Sequence, residues 1–144
     1  MPIKMYCIYS RESIHAMEHN RGKMAAQAGH AYLGAWWEGQ DVLNHFIDLM
    51  ESSEQEFYEA EWKRLSNVRD EYQNGDDARK ICLVVDTTDE LRELVESYKG
   101  FTGTMLVEDC GYTIVEPGTI TCAGIGPLRD EEKGGDLLNL ELLV

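Results

Sequence analysis

Lys23 and Gln27 are residues whose types and spacing suit the stabilisation of negative charge. They are four residues apart in a stretch predicted to be helical, so their side chains are neighbours on one helix face. A lysine near a helix N-terminus can hold a phosphate or stabilise an oxyanion, because its ammonium adds to the positive helix end and the free N–H groups there. By itself the pair is more typical of an ordinary solvated lysine and glutamine.

Asp109, Thr113 and Thr121 form a second candidate group, around a turn that passes through Gly111. An aspartate at the end of a strand, within reach of a threonine hydroxyl or a water, could act as a general base. The alternative is an Asx turn with local backbone N–H groups. If residues 116–118 form the hairpin loop, the two threonines lie opposite each other on one face, whereas a two-residue loop points them to opposite faces.

Three other features are weaker candidates. His15 and His19 have i, i+4 spacing, which suits a metal only if their segment is helical, and no third ligand is evident, so we expect no metal site. His30 follows on the Lys23 stripe and could face a bound molecule. Trp36 and Trp37 could form an aromatic surface, although we expect at least one of them to pack in the core.

The elements that position these residues follow from hydrophobic periodicity and from turn and cap signals. Strands are predicted over residues 3–10, 80–86, 104–108 and 120–126, and the apolar tail 137–144 is expected to dock as an edge strand. Helices are predicted from Gly22 to at least Trp36, from a capping box at Ser53 to just before Asn74, and from Thr87 to about Lys99, with a loop over 11–21 and a break over 38–41 where Asp41 is an N-cap. The alternation predicts one α/β domain, residues 1–144, with a mixed four- or five-stranded β-sheet, helices packed on its faces, and an extended helical segment at about 34–77. Small alanines on the first long helix should let it sit close to the sheet.

Composition restricts the setting of the protein. Its 13 basic and 27 acidic residues give a formal net charge of −14, which works against non-specific binding of nucleic acid. The four cysteines, Cys7, Cys82, Cys110 and Cys122, form no C-x-x-C pair and are expected to be free thiols. We find no signal peptide at the start and no apolar stretch long enough to span a membrane, so we expect a reducing cytoplasm.

Taken together, the two groups resemble the motifs of the type 2 peptidyl-tRNA hydrolase family. Residues 21–27, followed by His30-Ala31, are similar to the family's G-K-x-A-A-Q-x-x-H-A. Residues 107–113, 116–121 and 124–127 are similar to its D-A-G-x-T, x-P-G-[ST]-x-T and x-I-G-P, in the same order and with the same spacing.

The resemblance implies cleavage of the ester that joins a peptide to the terminal ribose of tRNA, without a metal or organic cofactor, by a protein that is often a homodimer. Carried over to this sequence, the catalytic residues would be Lys23, Asp109, Thr113 and Thr121. Residues expected to contact the substrate are Gln27, His30, Arg21 and Gly118.

The acidic composition keeps two alternatives open, because a tRNA ligand is bound by Lys and Arg that replace its counterions. One is a family member without activity that binds a protein or a nucleotide end, and the other is an esterase or amidase for a smaller aminoacyl substrate. We expect Arg11, Arg21 and Lys23 to form a small basic mouth, and Lys63, Arg64 and Arg69 to form a second basic strip.

Overall fold

A computed structural model describes residues 2–109 and 115–144 of the chain. The elements are β1 (Ile3–Ser10), α1 (Arg11–Ala16), α2 (Arg21–Leu49), α3 (Gln55–Asn74), β2 (Ala78–Val85), α4 (Thr88–Tyr98), β3 (Gly103–Glu108), β4 (Ile120–Arg129), α5 (Gly135–Leu138) and β5 (Glu141–Leu142). The strands form a sheet in the order β3-β4-β1-β2-β5, in which β1 and β2 are parallel and all other neighbours are antiparallel. The predicted α/β class and mixed sheet are confirmed.

The central strand β1 is buried on both faces of the sheet. Successive side chains of a strand point to opposite faces, so Tyr6 and Ile8 enter one core layer and Cys7 and Tyr9 enter the other. The first layer is completed by α4 and α5, and the second by α1 and α2. As predicted, Cys7, Cys82 and Cys122 are free thiols, whereas Cys110 lies outside the described residues.

Helix α2 lies directly on β3 and β4, as its alanines predict. Ala31 and Ala35 are fully buried. A Cβ added to Gly124 would lie 2.0 Å from the Ala31 carbonyl oxygen, and one added to Gly103 would lie 1.8 Å from that of Ala35. Both positions therefore require glycine, because the helix backbone occupies the space that a side chain would need.

The predicted helix break over 38–41 is wrong. Helix α2 continues through this segment to Leu49, so Asp41 lies inside the helix and caps nothing. Gly39 is buried, and a Cβ there would lie 2.3 Å from a guanidinium nitrogen of Arg69, whose Nη1 donates to the Trp36 carbonyl. The glycine makes room for this arginine, so its role is packing rather than helix termination.

Other boundaries also differ from the prediction. The expected loop over 11–21 contains α1, because the Ser10 side chain accepts a hydrogen bond from the Ser13 N–H and forms an N-cap. Helix α3 begins at Gln55 without a side-chain cap, so the capping box expected at Ser53 does not form. In the tail, the edge strand that pairs with β2 is Glu141–Leu142, and residues 135–138 are helical. In the described part of the chain, no helix is long and apolar enough to cross a membrane.

The contact between α2 and β4 predicts opposite effects for two glycine substitutions. We expect Gly124→Ala to lower the free energy of unfolding by about 1–3 kcal/mol, because the new methyl group must push α2 away from the sheet. Gly29→Ala on the exposed face of the same helix meets no atom within 4 Å and should stabilise the protein by about 0.5–1 kcal/mol. Urea unfolding of both variants tests this, and equal stabilities would contradict the close packing.

Candidate active site

Four polar side chains form a continuous chain of hydrogen bonds between α2 and the ends of β3 and β4. The Lys23 ammonium and the Gln27 amide both donate to the Oδ2 atom of Asp109, the amide at 3.1 Å. The Thr121 hydroxyl donates to Gln27 Oε1 at 2.8 Å. The structure thus unites Lys23, Gln27, Asp109 and Thr121, which are far apart in the sequence.

Thr121 determines which way the Gln27 amide faces. Its side chain is fully buried, and the Gln27 oxygen accepts its proton, so the amide nitrogen must point to the carboxylate. With Lys23 on the same oxygen, the Asp109 side chain is held from two directions, and it is itself buried. Such a network fixes the orientation of a carboxylate before any substrate arrives.

Backbone bonds position both ends of the network. The Asn20 side chain accepts a hydrogen bond from the Lys23 N–H at 2.9 Å, which caps α2, and the Tyr9 hydroxyl donates to the Met24 carbonyl. On the other side, Asp109 donates its N–H to the Thr119 carbonyl at 2.9 Å and accepts at its own carbonyl from Gly118 at 2.8 Å. Gly118 has a φ of 82°, which a glycine adopts readily.

Lys23, Gln27 and Asp109 line an open groove of about 1220 Å³ between α2 and β3, which we call the α2 groove. His30 is exposed and lies on its wall, followed by apolar and acidic residues further along the helix. The complete lining is Asn20, Gly22, Lys23, Ala26, Gln27, His30, Leu33, Gly34, Trp37, Glu38, Asp41, Met105, Val107, Glu108 and Asp109. A substrate in the α2 groove would meet an oriented carboxylate, an ammonium and the start of a helix.

A second groove, of about 1060 Å³, lies on the other side of the α2 N-terminus and is called here the basic groove. Arg11, His15, His19 and Arg21 line it together with Glu141 and with apolar residues of α1, α2, β2 and the chain's tail. Arg11 is paired with Asp86 and Glu141, which offsets its charge.

The other predicted residues have different outcomes. Thr113 lies outside the described residues, and so does the register that would relate it to Thr121. Gly118 contacts Asp109 through its backbone. The expected strip of Lys63, Arg64 and Arg69 does not form a shared basic surface. Arg64 pairs with Glu61 and Glu132 and Arg69 lies over the Trp36 ring, whereas Lys63 is exposed beside Glu59.

Metal binding has no support among the described residues, which contain no group of three or more His, Cys, Asp or Glu that could hold an ion. His15 lies on α1, but His19 lies beyond its end with a φ of 56°, so the two histidines do not share a helix face.

Sequence reasoning missed the far end of the α2 groove. The false break over 38–41 stopped the stripe of Lys23, Gln27, His30 and Gly34 too early, although Trp37, Glu38 and Asp41 continue it at helical spacing. The expected aromatic surface is found at Trp37, which is exposed, whereas Trp36 packs beside Tyr72.

The buried ion pair predicts strong coupling between Lys23 and Asp109. In a double-mutant cycle of Lys23→Met and Asp109→Asn, we expect an interaction energy of about 1–3 kcal/mol, since neither side chain is well solvated. The exposed pair Lys63 and Glu59 is the control and should give about 0.3–0.5 kcal/mol. Denaturant unfolding gives both coupling energies. Equal values for the two cycles would show that Lys23 and Asp109 do not form a buried ion pair.

Comparison with known proteins identifies the family of the chain. The family model described as "Peptidyl-tRNA hydrolase PTH2" matches residues 3–140. The chain is 38% identical over 115 residues to a peptidyl-tRNA hydrolase of Methanopyrus kandleri, covering 78% of each chain. It is 34% identical to those of Sulfolobus acidocaldarius, over 80% of this chain and 82% of the relative, and of Thermoplasma acidophilum, over 81% and 80%. The matched residues include strands β1–β4 and the lining of the α2 groove, and the chain belongs to the peptidyl-tRNA hydrolase PTH2 family.

Proposed function

We propose that this protein hydrolyses the ester bond of peptidyl-tRNA and releases the peptide and free tRNA. The observation that carries the proposal is the Asp109 carboxylate in the lining of the α2 groove, where Lys23 and Gln27 both donate hydrogen bonds to it, in a chain that belongs to this family. We expect it to act in the cytoplasm, where translation supplies the substrate, and as the homodimer that the resemblance implies.

Asp109 is the general base of the proposed mechanism. It accepts a proton from a water, whose oxygen attacks the ester carbonyl carbon and forms a tetrahedral oxyanion. The intermediate then collapses: the bond from the carbonyl carbon to the ribose oxygen breaks, and that oxygen takes the proton from Asp109. A threonine hydroxyl in place of the water remains the alternative nucleophile, for which Thr113 is the candidate.

Lys23 stabilises the oxyanion or holds the terminal phosphate. Its ammonium has three N–H donors, of which the contact with Asp109 uses one, so the others can turn to a ligand in the groove. The free N–H groups at the start of α2 add to the same positive potential. Neither group has to reorganise when charge develops in the transition state.

Gln27 and Thr121 act as positioning residues in this proposal. Thr121 is fully buried and donates to Gln27, so a role in orientation suits its surroundings better than direct contact with the ester. His30 and Arg21 are exposed on the two sides of the α2 N-terminus, where they can contact the peptide side and the tRNA side of the substrate.

Replacement of the base tests the proposal directly. We expect Asp109→Asn to reduce hydrolysis of an N-acetylated aminoacyl-tRNA at low salt by roughly 10²–10⁴-fold, because asparagine cannot accept the proton of water. The exposed Asp136→Asn on α5 is the control and should keep full activity. Full activity of a folded Asp109→Asn variant would refute the mechanism. A folded wild type without activity would favour the binding module, and cleavage of small aminoacyl esters alone would favour the smaller-substrate enzyme.

The tRNA is expected to approach across the basic groove. Arg21→Ala should raise the KM for peptidyl-tRNA and lower the slope of log KM against log salt by about 1, which is the loss of one phosphate contact. Lys63→Ala on α3 removes an equal charge from a residue that lines neither groove and should leave the slope unchanged. Equal slopes for the two variants would place the tRNA elsewhere.

A further inference from the structure

The far end of the α2 groove is an exposed apolar surface continuous with the proposed active site. Leu33 and Trp37 are 52% and 65% exposed, and Met105 of β3 lies beside them across the groove. Large apolar side chains exposed next to each other in a concave surface are typical of binding sites. They continue the same helix stripe as Lys23 and Gln27.

Negative charge surrounds this surface. Glu38 and Asp41 follow Trp37 on α2, and Glu108 lies on the opposite wall. The Glu38 carboxylate accepts a hydrogen bond from the Thr104 N–H at 2.8 Å, so it is fixed beside the groove. Phosphates are repelled by such a surface, whereas Arg21 in the basic groove attracts them. The two ends of the substrate are thereby separated by charge.

The length of the surface matches a short peptide. Ten residues separate Gln27 from Trp37, which is about 15 Å along a helix. An extended chain covers this distance with roughly four or five residues at about 3.4 Å each. A peptide of about five or six residues whose terminal carbonyl lies at Asp109 would therefore place its side chains on Leu33 and Trp37. Its amino group would lie between Glu38 and Asp41, which are about 16 Å and about 21 Å from Gln27 along the helix.

Resting on the proposed function, we infer that the groove from His30 to Asp41 is a subsite for the peptide part of the substrate, which selects apolar side chains and a free amino terminus. The apolar residues hold the peptide side chains, and the carboxylates of Glu38 and Asp41 attract the ammonium group. A terminal adenine stacked on Trp37 fits less well, because its neighbouring phosphates would face three carboxylates.

The first test compares substrates that carry the same tRNA and the same glycyl ester. One carries Leu-Ala-Leu-Ala-Gly with a free amino terminus, and the other carries N-acetylglycine. We expect Trp37→Ala to lower kcat/KM for the pentapeptide about ten-fold and to leave that for N-acetylglycine unchanged, because only the longer peptide reaches the indole. Phe57→Ala, which removes a similarly exposed ring from α3, should change neither.

Charge gives a second comparison on the same helix. Asp41→Asn should lower kcat/KM for the free pentapeptide but not for its N-acetylated form, whereas the exposed Asp48→Asn should affect neither. Equal losses on the pentapeptide and N-acetylglycine with Trp37→Ala would point to the adenine and overturn the subsite. The subsite would also be overturned if Trp37→Ala left kcat/KM unchanged for both substrates. A change in sedimentation of Trp37→Ala that shows the residue joining two copies of the chain would overturn it too.

A binding measurement separates the subsite from the proposed reaction. The indole N–H signal of Trp37, assigned with Trp37→Phe, should shift in NMR spectra on addition of the free pentapeptide. The shift should become smaller when added salt screens the attraction between the peptide ammonium and Asp41. A shift in a protein without hydrolase activity would support the peptide subsite and refute the hydrolase. Hydrolysis without any shift at millimolar peptide, and without the kinetic difference above, would refute the subsite and keep the hydrolase.

Discussion

The contact between α2 and the sheet is the constraint on which the site depends. Gly103 and Gly124 leave no side chain between the strands and the Ala31 and Ala35 backbone, so the helix axis is fixed at the shortest distance that packing allows. At this distance Gln27, one turn before Ala31, reaches both Thr121 and Asp109 with a single amide. A wider gap would break a network whose bonds have little tolerance in length.

The network also explains why a charged residue is tolerated in a buried place. Asp109 is 8% exposed, and an isolated carboxylate with this burial would be costly. Lys23 and Gln27 offset the cost, since an ammonium and an amide donate to the same oxygen. The resulting site is preorganised: the carboxylate, the ammonium and the helix N-terminus are in place before a substrate enters the groove.

Sequence reasoning predicted the local features of this site and missed contacts between side chains that are distant in the sequence. Helical spacing placed Lys23 and Gln27 on one face, and the strand end placed Asp109 beside a turn. Nothing local indicated that Arg69 would occupy the space over Gly39, so the glycine was interpreted as a break. Arg64 is a second example. The sequence predicts it in a basic strip, but in the fold it binds the Phe101 carbonyl and two carboxylates. Packing partners that are distant in sequence decide both cases.

The net charge of −14 is compatible with a polyanionic substrate because the charge is distributed unevenly about the site. Arg21 lies on one side of the α2 N-terminus, and acidic residues lie further along α2 on the other. Field lines near a surface depend on the nearest charges, since salt screens distant ones within about 8–10 Å. A negative protein can therefore present a locally positive approach for tRNA, and the acidic far end of the α2 groove then keeps phosphates away from the place where a peptide can lie.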